Sequence, residues 1–262
     1  MSVSHTSVAQ NLAQVHSRMS AAASSVGRDP SSIRLVVVCK GQPVSRILEA
    51  YDAGQRDFAE SRVEEGLARQ TQMAPLQEVC WHLVGHIQGR KAKLVPGSFA
   101  WVHSVDRLKV ARLLSQGASE IDVRLSVLLE CNVSGESTKG GWTFGEQGID
   151  EFLAEAAEVK ALPNLQVRGL MTMAPWTSDP ENVRWVFRRL RELRDEIDER
   201  LPGSWSELSM GMSDDFEAAI QEGATIVRIG RAAFGERLPE AVRTKEPVPY
   251  SNDPQLRVTQ RG

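Results

Sequence analysis

Cysteine is scarce in this chain. The three, Cys39, Cys80 and Cys131, lie far apart with no CxxC spacing. An odd count without an apolar leader reads as reduced thiols of a cytoplasmic protein, with neither a disulfide framework nor a zinc site. Each is expected as a small buried apolar residue. No run approaches the roughly 18 apolar residues that a membrane span needs. The opening stretch MSVSHTSVAQNLAQVHSRMS lacks the apolar core of a signal peptide. Charge of one sign is also missing. The formal net charge is −3, so no global basic field draws in nucleic acid. Tyrosine occurs only at Tyr51 and Tyr250.

What is present is ordinary for a globular protein: 41% hydrophobic and 25% charged residues over 262 positions. The organisation is a repeated strand and helix. RLVVVCK at 34–40 is a valine-rich run suited to a strand buried on both faces. Gln42-Pro43 then opens a helix with Val44, Ile47, Leu48 and Tyr51 at helical spacing, closed by Gly54. Further strands are expected at DFAES, 81–85, 101–105, 125–132, 165–173, 207–212 and 225–230, with helices between most of them. Asp179-Pro180-Glu181 supplies a cap, an N1 proline and a first-turn acid for a long amphipathic helix ending near Leu201. Ser213 is expected to cap the helix that runs to Gly223.

Eight strands alternating with helices predict a single α/β domain, a (β/α)8 TIM-type barrel. A doubly wound open sheet is the competitor, and the count of eight favours the barrel. Residues 1–30 are expected to form an extra helix covering the barrel, 31–238 the barrel itself, and 239–262 a polar, proline-containing tail.

Function in such a barrel sits at the C-terminal strand ends. Lys40 ends the first strand, where desolvation would make its amine a usable nucleophile. A lysine merely reaching into solvent is the competing reading. The loops after strands seven and eight, SMGMS at 209–213 and RIGRAAFG at 228–235, suit a phosphate at two helix N-termini. Tight turns and capping are the plainer account of the same residues. His82 and His86 are four apart, but Gly85 ends a strand between them, so no metal site is expected. His82 reads as an inward strand residue. The polar, glycine-rich loop 134–142 reads as a mobile flap over the mouth, with a long connector as the plainer alternative.

Taken together and in order, VVVCKGQPVSRILEAYDAGQRDFAES, WHLVGHIQGRK, VHSVDR, LLECNVSGESTKGGW, RGLMTMAP and LSMGMSDDFEAAIQEGATIVRIGRAAFGE resemble the pyridoxal phosphate homeostasis protein family, from about residue 10 to 238. The resemblance implies a fold-type III, alanine racemase-like barrel that binds pyridoxal 5′-phosphate (PLP). It implies a Schiff base on Lys40, a phosphate held by Ser209 and the backbone around Gly211 and Gly230, and Arg228 facing the cofactor near its ring nitrogen. His82 and Met210 match positions lining that site. Two departures stand out. Ser61 replaces a family asparagine, and Arg231 replaces a family hydroxyl, substituting a charge-assisted contact.

The family implies a PLP carrier without robust turnover, with PLP-dependent apoenzymes as partners and a monomer or weak dimer as the assembly. The rival is an amino-acid racemase, which needs a second base opposite the lysine. In alanine racemase that base is a tyrosine from a further domain and the partner subunit. The present chain is expected to end too soon for such a domain.

Overall fold

The protein is described here by a computed structural model covering residues 7–74, 76–144, 148–203 and 205–235. Eight parallel strands close on themselves in sequence order: β1 (Arg34–Val38), β2 (Asp57–Glu60), β3 (Cys80–Leu83), β4 (Trp101–Val105), β5 (Leu125–Glu130), β6 (Leu165–Met171), β7 (Glu207–Ser209) and β8 (Ile226–Ile229). The expected barrel is therefore found, and β1 pairs with β8 rather than forming an open edge. No helix among the described residues is long and apolar enough to cross a membrane.

The helices are α1 (Val8–Ser24), α2 (Val44–Asp52), α3 (Val63–Gln72), α4 (Leu108–Glu120), α5 (Gly148–Ala161), α6 (Arg184–Arg200), α7 (Phe216–Gln221) and α8 (Arg231–Phe234). Helix α1 opens with a reciprocal cap, the Ser7 hydroxyl accepting from the Gln10 amide and the Gln10 side chain accepting from the Ser7 amide. It packs on α2, α7 and α8, and the Asn11 amide nitrogen donates to the Ala233 carbonyl at 3.0 Å. Arg28, just beyond α1, donates to the carbonyls of Ile220 (2.6 Å) and Ala224 (2.8 Å), tying this cover to the β8 side of the barrel. The tail, 239–262, lies outside the described residues.

Side-chain alternation divides the core in two. Val37, Phe58, Leu83, Val127, Leu208 and Ile229 point outward and are buried under the helices. Val36, Ala59, Leu128, Met171 and Ile226 point inward and plug the barrel. Each fully buried side chain of this kind stabilises the fold by about 1.5–3 kcal/mol.

The basic stretch after β3 forms a 3-10 turn, Gly89–Leu94. Two local expectations are revised. Asp179 caps a 3-10 turn, Pro180–Val183, with α6 continuing from Arg184. Ser213 does not cap α7. The Asp215 carboxylate takes the Met212 amide at 2.6 Å instead, and the Ser213 hydroxyl accepts from the Ala232 amide at the start of α8.

Candidate functional site

Lys40 follows β1 directly, two residues past Val38, and its side chain is exposed at the barrel mouth. The burial expected of its amine is therefore not provided by the protein. Its neighbours are set by register. Val37 pairs with Ile229, so the ends of β1 and β8 lie side by side. A Cβ on Gly230 would stand 3.6 Å from the Val38 carbonyl oxygen, which measures how closely the two strand ends approach. Next to Gly230 come Arg231, the Ala232 amide and the Ser213 hydroxyl, 3.1 Å from that amide. Arg231 pairs with the Asp214 carboxylate, and both side chains are about half exposed. A cluster of polar groups thus lies across one strand gap from the end of β1, which Lys40 follows. The helices after β7 and β8 are only six and four residues long, so their dipoles add little to it.

Gly211 makes the corner possible. Its φ is +92°, and a Cβ there would meet Ala219 Cβ at 2.6 Å and Phe216 Cα at 2.9 Å. On the other side of Lys40, Ser61 follows β2 and is half-buried. Its carbonyl lies where a Cβ on Gly85 would come within 2.1 Å, so the ends of β2 and β3 also touch through a glycine.

Below the mouth runs a buried polar chain. Arg228, inward on β8, donates from Nη2 to the Thr172 carbonyl (2.9 Å) and from Nη1 to Ser209 Oγ (2.7 Å). Ser209 Oγ is 2.8 Å from His103 Nδ1, His103 Nε2 is 2.9 Å from His82 Nδ1, and His82 Nε2 is 2.9 Å from Asp57 Oδ1. Burial lowers the pKa of both histidines, and His103 is further lowered by His82 and Arg228. Both imidazoles are therefore neutral near pH 7. Burial alone would raise Asp57, but the His82 hydrogen bond and the charges of His82 and Arg34 outweigh it and leave its pKa lowered. Burial brings Arg228 down to about 10, with Asp215 and Glu130 opposing, so its charge persists at neutral pH.

Three of the residues expected at the site lie away from the mouth. Ser209 is fully buried and bonded to His103 and Arg228, so it serves the interior and not the mouth. His82 is likewise fully buried, with both ring nitrogens engaged. Met210 packs in the outer core beneath the helices, because alternation turns it away from Ser209. The hydroxyl that does reach the mouth is that of Ser213. Its sequence neighbourhood invited a capping role, and only the fold shows it facing α8.

The loop 134–142 carries several side-chain hydrogen bonds. Asn132 Oδ1 accepts from the Ser134 hydroxyl and the Gly135 amide, Lys139 Nζ donates to the Met173 carbonyl at 3.0 Å, and Trp142 Nε1 donates to Glu155. Gly140 sits over Glu130 at the end of β5 and over Asp106, each within about 4 Å of a Cβ placed there. Burial and the Asp106 carboxylate push Glu130 up to about 7, against the opposing charge of Arg228. Neither carboxyl was singled out from the sequence, because nothing in their spacing shows that β5 and the turn after β4 meet beneath this loop.

Residues 9–238 match the family model described as alanine racemase, N-terminal domain. The chain is 44% identical to the pyridoxal phosphate homeostasis protein of Pseudomonas aeruginosa over 232 residues, covering 88% of this chain and 96% of that one. The chain belongs to this family. The Escherichia coli homeostasis protein is 42% identical over 233 residues, covering 88% of this chain and 97% of that protein. Among solved structures, PipY of Synechococcus elongatus with PLP bound superposes at a TM-score of 0.76 with 34% identity, covering 87% of this chain and all of PipY. Alanine racemase of Clostridium difficile superposes at 0.64 with 15% identity; the match covers 88% of this chain and 57% of the racemase, a likeness of fold alone.

Proposed function

We propose that this chain binds pyridoxal 5′-phosphate covalently through Lys40 and serves intracellular PLP homeostasis as a carrier in the cytoplasm. The observation that carries the reading is the pairing of the β1 end, followed by the exposed Lys40, with the β8 end that carries the Gly230–Arg231–Ser213 cluster. The donor set fits the cofactor: an amine for its aldehyde and, across one strand gap, a hydroxyl, backbone and guanidinium for its phosphate. When bound, PLP supplies an aldehyde that traps amines and a ring that can draw electrons from them. The residues that would hold it are Lys40, Ser61, Gly211, Ser213, Gly230 and Arg231. Arg228 forms the floor beneath, its guanidinium fixed by Ser209 and Thr172. Membership of a family whose PipY member has been solved with PLP supports the same reading. PLP-dependent apoenzymes are the proposed recipients, and a monomer or weak dimer the proposed assembly.

The test is borohydride reduction of the PLP-loaded protein followed by peptide mass spectrometry. The reduced adduct is expected on Lys40, and Lys40→Ala should abolish both the adduct and the yellow absorbance. An adduct found mainly on another lysine would overturn the assignment.

A further inference from the structure

At the end of the barrel opposite the mouth, three side chains of metal-ligating type converge. Asp57 on β2 pairs in register with Cys80 on β3, and Ala59 with His82. Alternation puts Cys80 and His82, two residues apart, on the same interior face as Asp57. One ligand atom from each of the three lies within 4.8 Å of the other two. His82 Nε2 is 2.9 Å from Asp57 Oδ1 and 3.4 Å from Cys80 Sγ. We propose that Asp57, Cys80 and His82 form a binding site for a thiophilic first-row divalent metal ion, of the zinc class, with a coordination position left open to solvent.

The ligand set and its spacing argue for this. Tetrahedral zinc with Zn–S near 2.3 Å and Zn–N and Zn–O near 2.0–2.2 Å separates its ligands by about 3.4 Å (N to O) and about 3.6 Å (S to N). The N-to-O and S-to-N separations need to widen by only about half an ångström or less to admit the ion. Thiolate and imidazole select zinc-like ions over magnesium or calcium. The outer shell is in place: His82 Nδ1 is held by His103 Nε2 at 2.9 Å, which fixes the ring as ligating histidines are usually fixed. A path from solvent exists, because the Asp57 side chain is 27% exposed and Cys80 is half-buried, unlike the fully buried Cys39 and Cys131. Arg34 lies 3.9 Å from Asp57 with its guanidinium over the Trp101 ring. The thiolate and the carboxylate together neutralise a divalent ion, with the Arg34 guanidinium beside Asp57 as a remaining positive charge. On binding, the Cys80 S–H bond breaks, the sulfur bonds to the metal, and one proton passes to solvent.

Ligation also reverses the histidines. Without metal, His82 donates from Nε2 to Asp57 and so accepts at Nδ1. With metal on Nε2, the Nδ1–H donates to His103, and His103 in turn donates to Ser209 Oγ.

The experiment uses the full chain, stripped with a chelator and titrated with zinc sulfate alone by calorimetry, with metal content checked by elemental analysis after dialysis. The expectation is about one zinc per chain, with a proton released, and a loss of affinity of about tenfold or more in Cys80→Ser. His103→Gln should weaken binding by about 10–100-fold through the outer shell. Far-UV circular dichroism and PLP absorbance should be unchanged in Cys80→Ser, which establishes that the variant is folded. Failure of wild type to retain zinc, or Cys80→Ser binding within tenfold of wild type, would overturn the proposal. Both outcomes are independent of whether Lys40 carries PLP.

Discussion

Glu130 shows how a single residue is governed by its surroundings. Its carboxyl is nearly buried at the end of β5, under Gly140, beside Asp106 and within the field of Arg228. Burial and the like charge push it up to about 7, from an ordinary 4.5. The folded state therefore binds this proton more tightly than the unfolded chain. That contribution is complete below about pH 4.5 and is lost as pH rises through about 7. A shift of this size corresponds to about 3 kcal/mol. In cofactor-free protein, urea unfolding at pH 5.5 and pH 8 should show wild type losing stability over this window. Glu130→Gln should lose much less and be the more stable of the two at pH 8. Identical pH dependence in the two proteins would show that Glu130 titrates normally.

The same scale separates what could be read early from what could not. Lys40 could be singled out as a candidate because it closes a valine run, although a lysine reaching into solvent fits the same position equally well. Ser209 and Ser213 carry equal polarity in the sequence, and which of them reaches the mouth depends on alternation after β7. Only the folded chain shows Ser209 locked between His103 and Arg228, and Ser213 facing the Ala232 amide.

Among the elements, the strand ends matter most, and two of them meet through a glycine. Gly85 follows β3 where the Ser61 backbone follows β2. An added methyl would stand 2.1 Å from the Ser61 carbonyl oxygen and 2.9 Å from its Cα. Neither atom can yield without moving the end of β2. Gly85→Ala is therefore expected to destabilise the protein by about 1–3 kcal/mol. It should also weaken PLP binding, because Ser61 and Lys40 end neighbouring strands. Thermal unfolding and an absorbance titration with PLP would check the pair. A normal melting temperature with normal PLP affinity would mean that the β2 end has more room than its contacts imply. Glycine at this position read from sequence only as a strand terminator; the reason for it is a neighbour 24 positions earlier.

At the scale of the whole molecule, the barrel holds one continuous polar path, from Arg228 beneath the mouth through Ser209, His103 and His82 to Asp57 at the far end. Tyr51 stands apart from it on α2, where its hydroxyl donates to the Gln77 carbonyl at 3.1 Å. Arg228 remains charged beneath the proposed ring position, which disfavours the protonated ring that a strong electron sink requires. The carrier reading therefore predicts no enzyme-like racemisation. With L-alanine in D2O, α-deuteration and D-isomer should accumulate far below the about 1–1000 per second typical of enzymes. Rates within that range would restore the racemase.

The sequence by itself pointed to the architecture, because strand and helix periodicities are local properties and a count of eight favours a barrel over an open sheet; the β1–β8 pairing closes it. The sequence also determined the family, through motifs in a fixed order, and singled out Lys40 as the candidate amine. The tertiary structure alone decided which inward side chains meet. His82 and His103, 21 residues apart, meet on paired neighbouring strands, whereas His103 and Ser209, 106 apart, meet across the barrel only once β1 has paired with β8. Local sequence fixes the face on which a residue points. Closure of the barrel fixes what it finds there.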